Sequence, residues 1–124
     1  MTWKLEYNSK LRIIELVYSG DVSGSDMRDS TSRAISLSQE HAITDFLVDA
    51  SKQEQAGTVT DIHELPQQYV EDGADHQSRV AYVKPISPDL QQIAEFYETV
   101  CVNRGWHVQS FTNRHEAIGW LLRT

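Results

Sequence analysis

The stretch TDFLVDA, residues 44–50, organises the reading of this chain. Phe46, Leu47 and Val48 are consecutive and apolar, so a strand through them has no polar face. Polar residues bound the run on both sides, and it is too short for a core helix. A short continuous apolar run of this kind suits a strand buried on both faces at the centre of a parallel sheet. Such a strand needs partners on both edges and helices above or below it, and the flanking sequence supplies them.

Upstream, Ser23 and Asp26 form an S-x-x-D capping box that opens a helix reaching about His41. Met27, Ala34, Ile35, Ser38 and His41 fall near one face of that helix, with Leu37 less well aligned. Before it, Ser19-Gly20-Asp21 reads as a strand break. Leu11 to Tyr18 (LRIIELVY) reads as a strand apolar on both faces. Trp3, Leu5 and Tyr7 alternate with Thr2, Lys4 and Glu6, as in a half-buried strand. The short connection Asn8-Ser9-Lys10 predicts that these two strands form an antiparallel hairpin.

Downstream, Ser51 to Thr58 (SKQEQAGT) reads as a polar loop, and residues 60–70 as a helix. Pro66 is tolerated in a first turn but not in an interior, so two short pieces or one bent helix are expected. Arg79 to Lys84 (RVAYVK) is the next strand, and Pro85 and Pro88 mark its exit. Leu90, Ile93, Ala94, Tyr97, Val100 and Cys101 carry the helical period, and Gly105 suits the position after the helix end. Trp106 to Phe111 is the last strand. In the closing FTNRHEAIGWLLRT, residues 111–124, Asn113 is the N-cap and Glu116 stands where a capping box places its reciprocal acceptor. Ala117, Ile118 and Leu121 share the buried face, flanked by Trp120 and Leu122. The order β-β-α-β-α-β-α-β-α gives an α/β domain spanning residues 1–124. Its N-terminal antiparallel hairpin continues into a mostly parallel sheet.

Composition narrows the function. The chain has 124 residues, 40% hydrophobic and 23% charged, with net charge −7. That sign repels phosphate backbones, and no Lys/Arg run offsets it, so neither nucleic acid nor an anionic membrane surface is an expected partner. No apolar run approaches the ~20 residues of a membrane span. Lys4, Glu6, Lys10, Arg12 and Glu15 leave no room for a signal-peptide core, and the single cysteine, Cys101, lies on an apolar helical stripe as an inert thiol. A reducing cytoplasmic setting is the expectation.

The chemistry-bearing motifs are weak. Ser19 to Asp26 is glycine-rich before a helix but lacks a P-loop lysine and carries Asp21 and Asp26 where phosphate would sit. Asp61, His63, Glu64, Asp72, Asp75 and His76 have no metal-ligand spacing, so no metal or other cofactor is implied. No G-x-S-x-G is present. His41 and His107 read as structural. Tyr69, Tyr82 and Tyr97 suit core or interface positions, with a small apolar pocket as the alternative. Asp49-Ala50-Ser51 stands where the central strand would end, the usual side for ligand sites in open α/β sheets.

Gly20-Asp21-Val22-Ser23 leading to Asp26, the strands Phe46-Leu47-Val48-Asp49 and Val80-Ala81-Tyr82-Val83, and the ending Phe111…Ala117…Trp120-Leu121 resemble the single-domain STAS-like (SpoIIAA-like) proteins. These are related to anti-sigma-factor antagonists and, more loosely, to lipid-binding CRAL-TRIO domains. The resemblance implies helices stacked largely on one face of the sheet. It also implies a non-enzymatic, regulatory role through a protein partner, with a small apolar-ligand or lipid carrier as the alternative. In the antagonists a phosphorylatable Ser follows an Asp at the start of the helix after the third strand. Here that region reads Ala56-Gly57-Thr58-Val59-Thr60-Asp61 and has no Asp-Ser-Ser-Gly motif. The candidate binding or regulatory residues are therefore Asp49, Ser51, Thr58, Thr60 and Asp61. Trp3, Leu5 and Tyr7 opposite a charged alternate face mark the first strand as a half-covered edge, from which a weak or moderate homodimer is expected.

Overall fold

A computed structural model describes residues 2–123. Five strands form one sheet in the order β1-β2-β3-β4-β5: β1 (Trp3–Asn8), β2 (Ile13–Asp21), β3 (Asp45–Gln55), β4 (Arg79–Val83) and β5 (His107–Phe111). β1 and β2 are antiparallel, and every later pair is parallel. The helices are α1 (Gly24–His41), α2 (Val59–His63), α3 (Leu65–Glu71), α4 (Gln91–Asn103) and α5 (Arg114–Leu122).

The apolar run 46–48 is indeed in the central strand, and its alternate side chains feed two separate cores. Phe46 and Val48 face α1 to α4, as do Ile14, Leu16, Tyr18, Val80, Tyr82 and Val108. Leu47 faces the other way with Ile13, Ala81 and Val83, and there, among the described residues, α5 alone covers the sheet through Ala117 and Leu121. Helices thus lie largely on one face, with the closing helix as the counterweight. Asn113 caps α5 by accepting the Glu116 N–H (2.9 Å). The Glu116 carboxylate accepts from the Asn113 amide side chain (2.8 Å), so the reciprocal bond of a capping box is replaced by a side-chain pair. Arg79 closes the far end of α5. Its guanidinium pairs with Asp45 (3.1 Å), donates to the Leu121 carbonyl (2.5 Å) and lies over the Trp120 ring.

Two boundaries differ from the sequence reading. The hairpin loop is one residue longer than Asn8-Ser9-Lys10 and its flank suggested. The Asn8 side chain accepts the Leu11 N–H (3.1 Å) and Arg12 is left-handed (φ 56°), which postpones β2 to Ile13. Ser19-Gly20-Asp21 does not break β2, and Ser51–Gln55 is not loop. The two segments pair with each other (Ser19 with Lys52, Gly20 with Gln53, Asp21 with Gln55). Their polar side chains hid this, because β4 stops at Val83 and the extension has a neighbour on one side only. The helical segment expected over 60–70 comes as two short pieces, α2 and α3, with Pro66 in the first turn of α3, one of the two arrangements its proline implied. In α1 the buried stripe includes Ser30 and Thr31, while His41 is exposed and stacks on Tyr7 at 4.0 Å.

Candidate functional site

The end of β3 sets up the site. Register shifts against β2 between Val17 and Ser19, and again between Gly20 and Asp21, give β3 extra residues and re-aim its chain. Asp49, paired with Val17 and Val83, stands just before the first shift, and its carboxylate accepts the Ser51 N–H (3.0 Å). Beyond the shift Gln53 is buried, its side chain donating to the Gln55 carbonyl (3.0 Å). The true connection between strand and helix is therefore only Ala56-Gly57-Thr58.

That connection is tightly fixed. Thr58 is the N-cap of α2. Its hydroxyl accepts the Asp61 N–H (3.1 Å), and the Asp61 carboxylate accepts the Thr58 N–H (2.8 Å) and hydroxyl (3.1 Å). Arg28, from α1, adds an ion pair to the same carboxylate at 3.2 Å. The Thr58 N–H foremost, then its hydroxyl and the Arg28 guanidinium, hold the Asp61 carboxyl below its ordinary range. Two glycines permit this approach. A Cβ on Gly24 would meet the Asp61 carboxylate at 2.4 Å, and one on Gly57 would meet it at 2.7 Å and the Gly24 backbone at 3.0 Å.

The five residues singled out by sequence thus divide. Thr58 and Asp61 are brought together and joined to α1 by Arg28. Asp49 and Ser51 form a separate turn at the strand shift. Thr60 has an exposed side chain beside the cap. Arg28, Gly24 and Gly57 escaped the sequence reading. Thr58-x-x-Asp61 has the same signature as Ser23-x-x-Asp26 and was available as a second capping box. No sequence signal ties Arg28 to it across the fold.

Beneath this connection, between the sheet and α1 to α4, lie two small cavities. One, of about 70 Å3, is lined by Leu16, Val48, Tyr69, Tyr82 and Tyr97 and by Ala56 and Pro85 from the two loops above it. The other, of about 60 Å3, shares Leu16, Val48, Tyr69 and Tyr97 and reaches Trp106 and Val108. The Tyr69 and Tyr97 hydroxyls bond each other at 2.7 Å, and Tyr18 bonds Ser30 at 2.5 Å. Burial raises all these phenols, Tyr18 to about 12 and Tyr69, Tyr82 and Tyr97 as well, so they are neutral donors and acceptors at any physiological pH. Two aliphatic side chains are exposed next to these loops, one at the start of α2 and one in the loop after β4. Val59 is 57% exposed, and Ile86, whose N–H points to the Ser51 carbonyl at 3.4 Å, is 78% exposed.

The candidate metal ligands are dispersed: Asp61 is held by Arg28, and His76 stacks on Trp106 at 4.3 Å. Among the described residues no group of three or more His, Cys, Asp or Glu could hold a metal ion, and no helix is long and apolar enough to cross a membrane.

Solved structures share this overall architecture. The anti-sigma factor antagonist SpoIIAA, in its unphosphorylated form, superposes over 98% of this chain and 99% of its own, with a TM-score of 0.56 and 15% identity. The chain has the SpoIIAA-like fold. An uncharacterized protein of the DUF3478 family with a SpoIIAA-like fold, from Shewanella loihica, matches over 96% of this chain and 91% of its own, with a TM-score of 0.61 and 15% identity. No protein-family model and no curated protein matches the sequence. Within this SpoIIAA-like frame, the segment 56–61 that joins the central strand to the next helix is a capped, ion-paired corner.

Proposed function

We propose that this chain works by docking a regulatory protein partner on the rim made by Ser51, the Ala56–Asp61 corner and the Pro85–Ser87 loop. No catalytic step and no obligatory phosphorylation are involved. The carrying observation is the exposure of two aliphatic side chains, Val59 at the start of α2 and Ile86 in the loop after β4, next to Ala56 and Pro85, which line one cavity. The likeness to an anti-sigma factor antagonist supports a partner-binding role. Thr58 is spent as a cap, and a phosphate there would stand against the Asp61 carboxylate that the cap needs. Asp49 supports Ser51 by accepting its N–H.

The test is affinity capture from the native host with quantitative mass spectrometry. A Ser51→Ala, Thr58→Ala, Thr60→Ala protein should keep its fold by circular dichroism and retain the partner. Val59→Asp with Ile86→Asp should keep the fold and lose it. Loss of the partner by the triple-Ala protein, together with phosphate on the native corner, would establish the phosphoswitch instead. The second reading, a carrier for a small apolar ligand or lipid, rests on the tyrosine-lined cavities. Their volumes fall well short of the roughly 300–1,000 Å3 of ordinary ligand pockets, which favours docking.

A further inference from the structure

The two edges of the sheet differ. At β5 the outward-facing Ser110 N–H is taken by the Glu98 carboxylate of α4 at 2.5 Å, which obstructs strand addition there. β1 has no such guard. It pairs with β2 in one unbroken register from Trp3–Tyr18 to Asn8–Ile13, without proline or bulge. The Ser19 N–H donates to the Thr2 carbonyl (2.9 Å), which fixes the alternation. Lys4, Glu6 and Asn8 turn their backbone groups inward to β2, and Trp3, Leu5 and Tyr7 turn theirs outward. Among the described residues nothing bonds those outward groups. The same three residues carry half-buried side chains on the helix-covered face, and Lys4 and Glu6 are exposed on the other.

We infer that β1 is the self-association edge, pairing antiparallel with β1 of a second copy about a two-fold axis at Leu5. The charge pattern selects this register. Outward residues must oppose outward residues. Centring on Lys4 sets lysine against lysine, and centring on Glu6 sets glutamate against glutamate. Centring on Leu5 sets Lys4 against Glu6 of the second copy, twice by symmetry. Trp3 then stands opposite Tyr7, Leu5 opposite Leu5, and each of these pairs exchanges two N–H···O=C bonds. A six-residue edge is small against the roughly 1,200–2,000 Å2 of stable interfaces, so the dimer is weak and concentration-dependent. The surface is isologous, as closed two-fold dimers require. It goes beyond the docking rim and does not depend on it.

Analytical ultracentrifugation between roughly 5 and 500 µM tests this. The wild type should pass from monomer to dimer across the range. Lys4→Glu and Glu6→Lys should each weaken the dimer about tenfold, because two attractive cross-strand pairs become repulsive. The double variant K4E/E6K should recover wild-type association, and an equimolar mixture of the two single variants should form heterodimers, since every opposed pair is again unlike. Both sites are exposed, so circular dichroism should show an unchanged fold. A wild type that stays monomeric at the top concentration overturns the inference. So does a dimer indifferent to either single swap, or one that the double variant fails to recover.

Discussion

Leu121→Ala is the sharpest test of how the fold closes. Leu121 is 1% exposed and packs with Ala117 against Ile13, Leu47, Ala81 and Val83. Replacing a buried leucine by alanine costs about 2–5 kcal/mol, depending on how far the site collapses. Here the lower half of that range applies, about 2–3.5 kcal/mol. Among the described residues α5 is the only helix on its face, so it can settle toward the sheet, and Arg79 still holds its last turn through the Leu121 carbonyl. Against a total of about 6–15 kcal/mol for a chain this size, the loss is a substantial fraction. The melting temperature should fall by roughly 10 °C. Urea unfolding followed by tryptophan fluorescence, with Trp120 as a local reporter, should show a lower midpoint and an unchanged slope. Deleting Gly119–Thr124 removes Trp120 and Leu121 together and uncovers Ile13, Leu47 and Val83, each worth about 1.5–3 kcal/mol when buried. That product should be unfolded or aggregated. A Leu121→Ala protein within about 1 kcal/mol of wild type, or a truncation melting cooperatively at the wild-type temperature, would refute the assignment of the second face to α5.

Two further outcomes follow from the ionisable groups. Asp61 has its carboxyl held below its ordinary value of 3.8 in the folded chain, so its contribution is full above that value and is lost as pH falls through the lowered one. Asp61→Asn should be less stable than wild type near neutrality, and the two urea midpoints should converge as pH falls from about 5 to about 2; parallel curves would show that the charge is idle. Cys101 is fully buried and its thiol is pushed up to about 12 by that burial, so iodoacetamide at pH about 8 should leave the native protein unmodified and alkylate it in urea. Equal rates in the two states would mean that the α4 stripe opens readily.

Sequence patterning by itself determined the elements whose signals are local. Ser23 with Asp26 and Asn113 before Glu116 are caps readable from a few residues, and both open helices where expected. The apolar run 46–48 announced a strand without a wet face, and it lies mid-sheet. Tertiary structure decided what depends on a distant partner. Ser51–Gln55 reads as loop because polar side chains give no period, yet pairing with Ser19–Asp21 satisfies its backbone and makes it strand. A strand buried on both faces must turn Leu47 away from Phe46 and Val48, but that α5 is the helix covering Leu47 follows only from the closing helix crossing to the second face. The corner at Thr58 and Asp61 likewise became a candidate site only when two glycines let it approach α1 and Arg28 closed on it from 33 residues away. Caps, turns and periods are short-range chemistry and are written in order along the chain. Edge pairing, the choice of face and ion pairs between elements are long-range, and they appear only once the chain has folded back on itself.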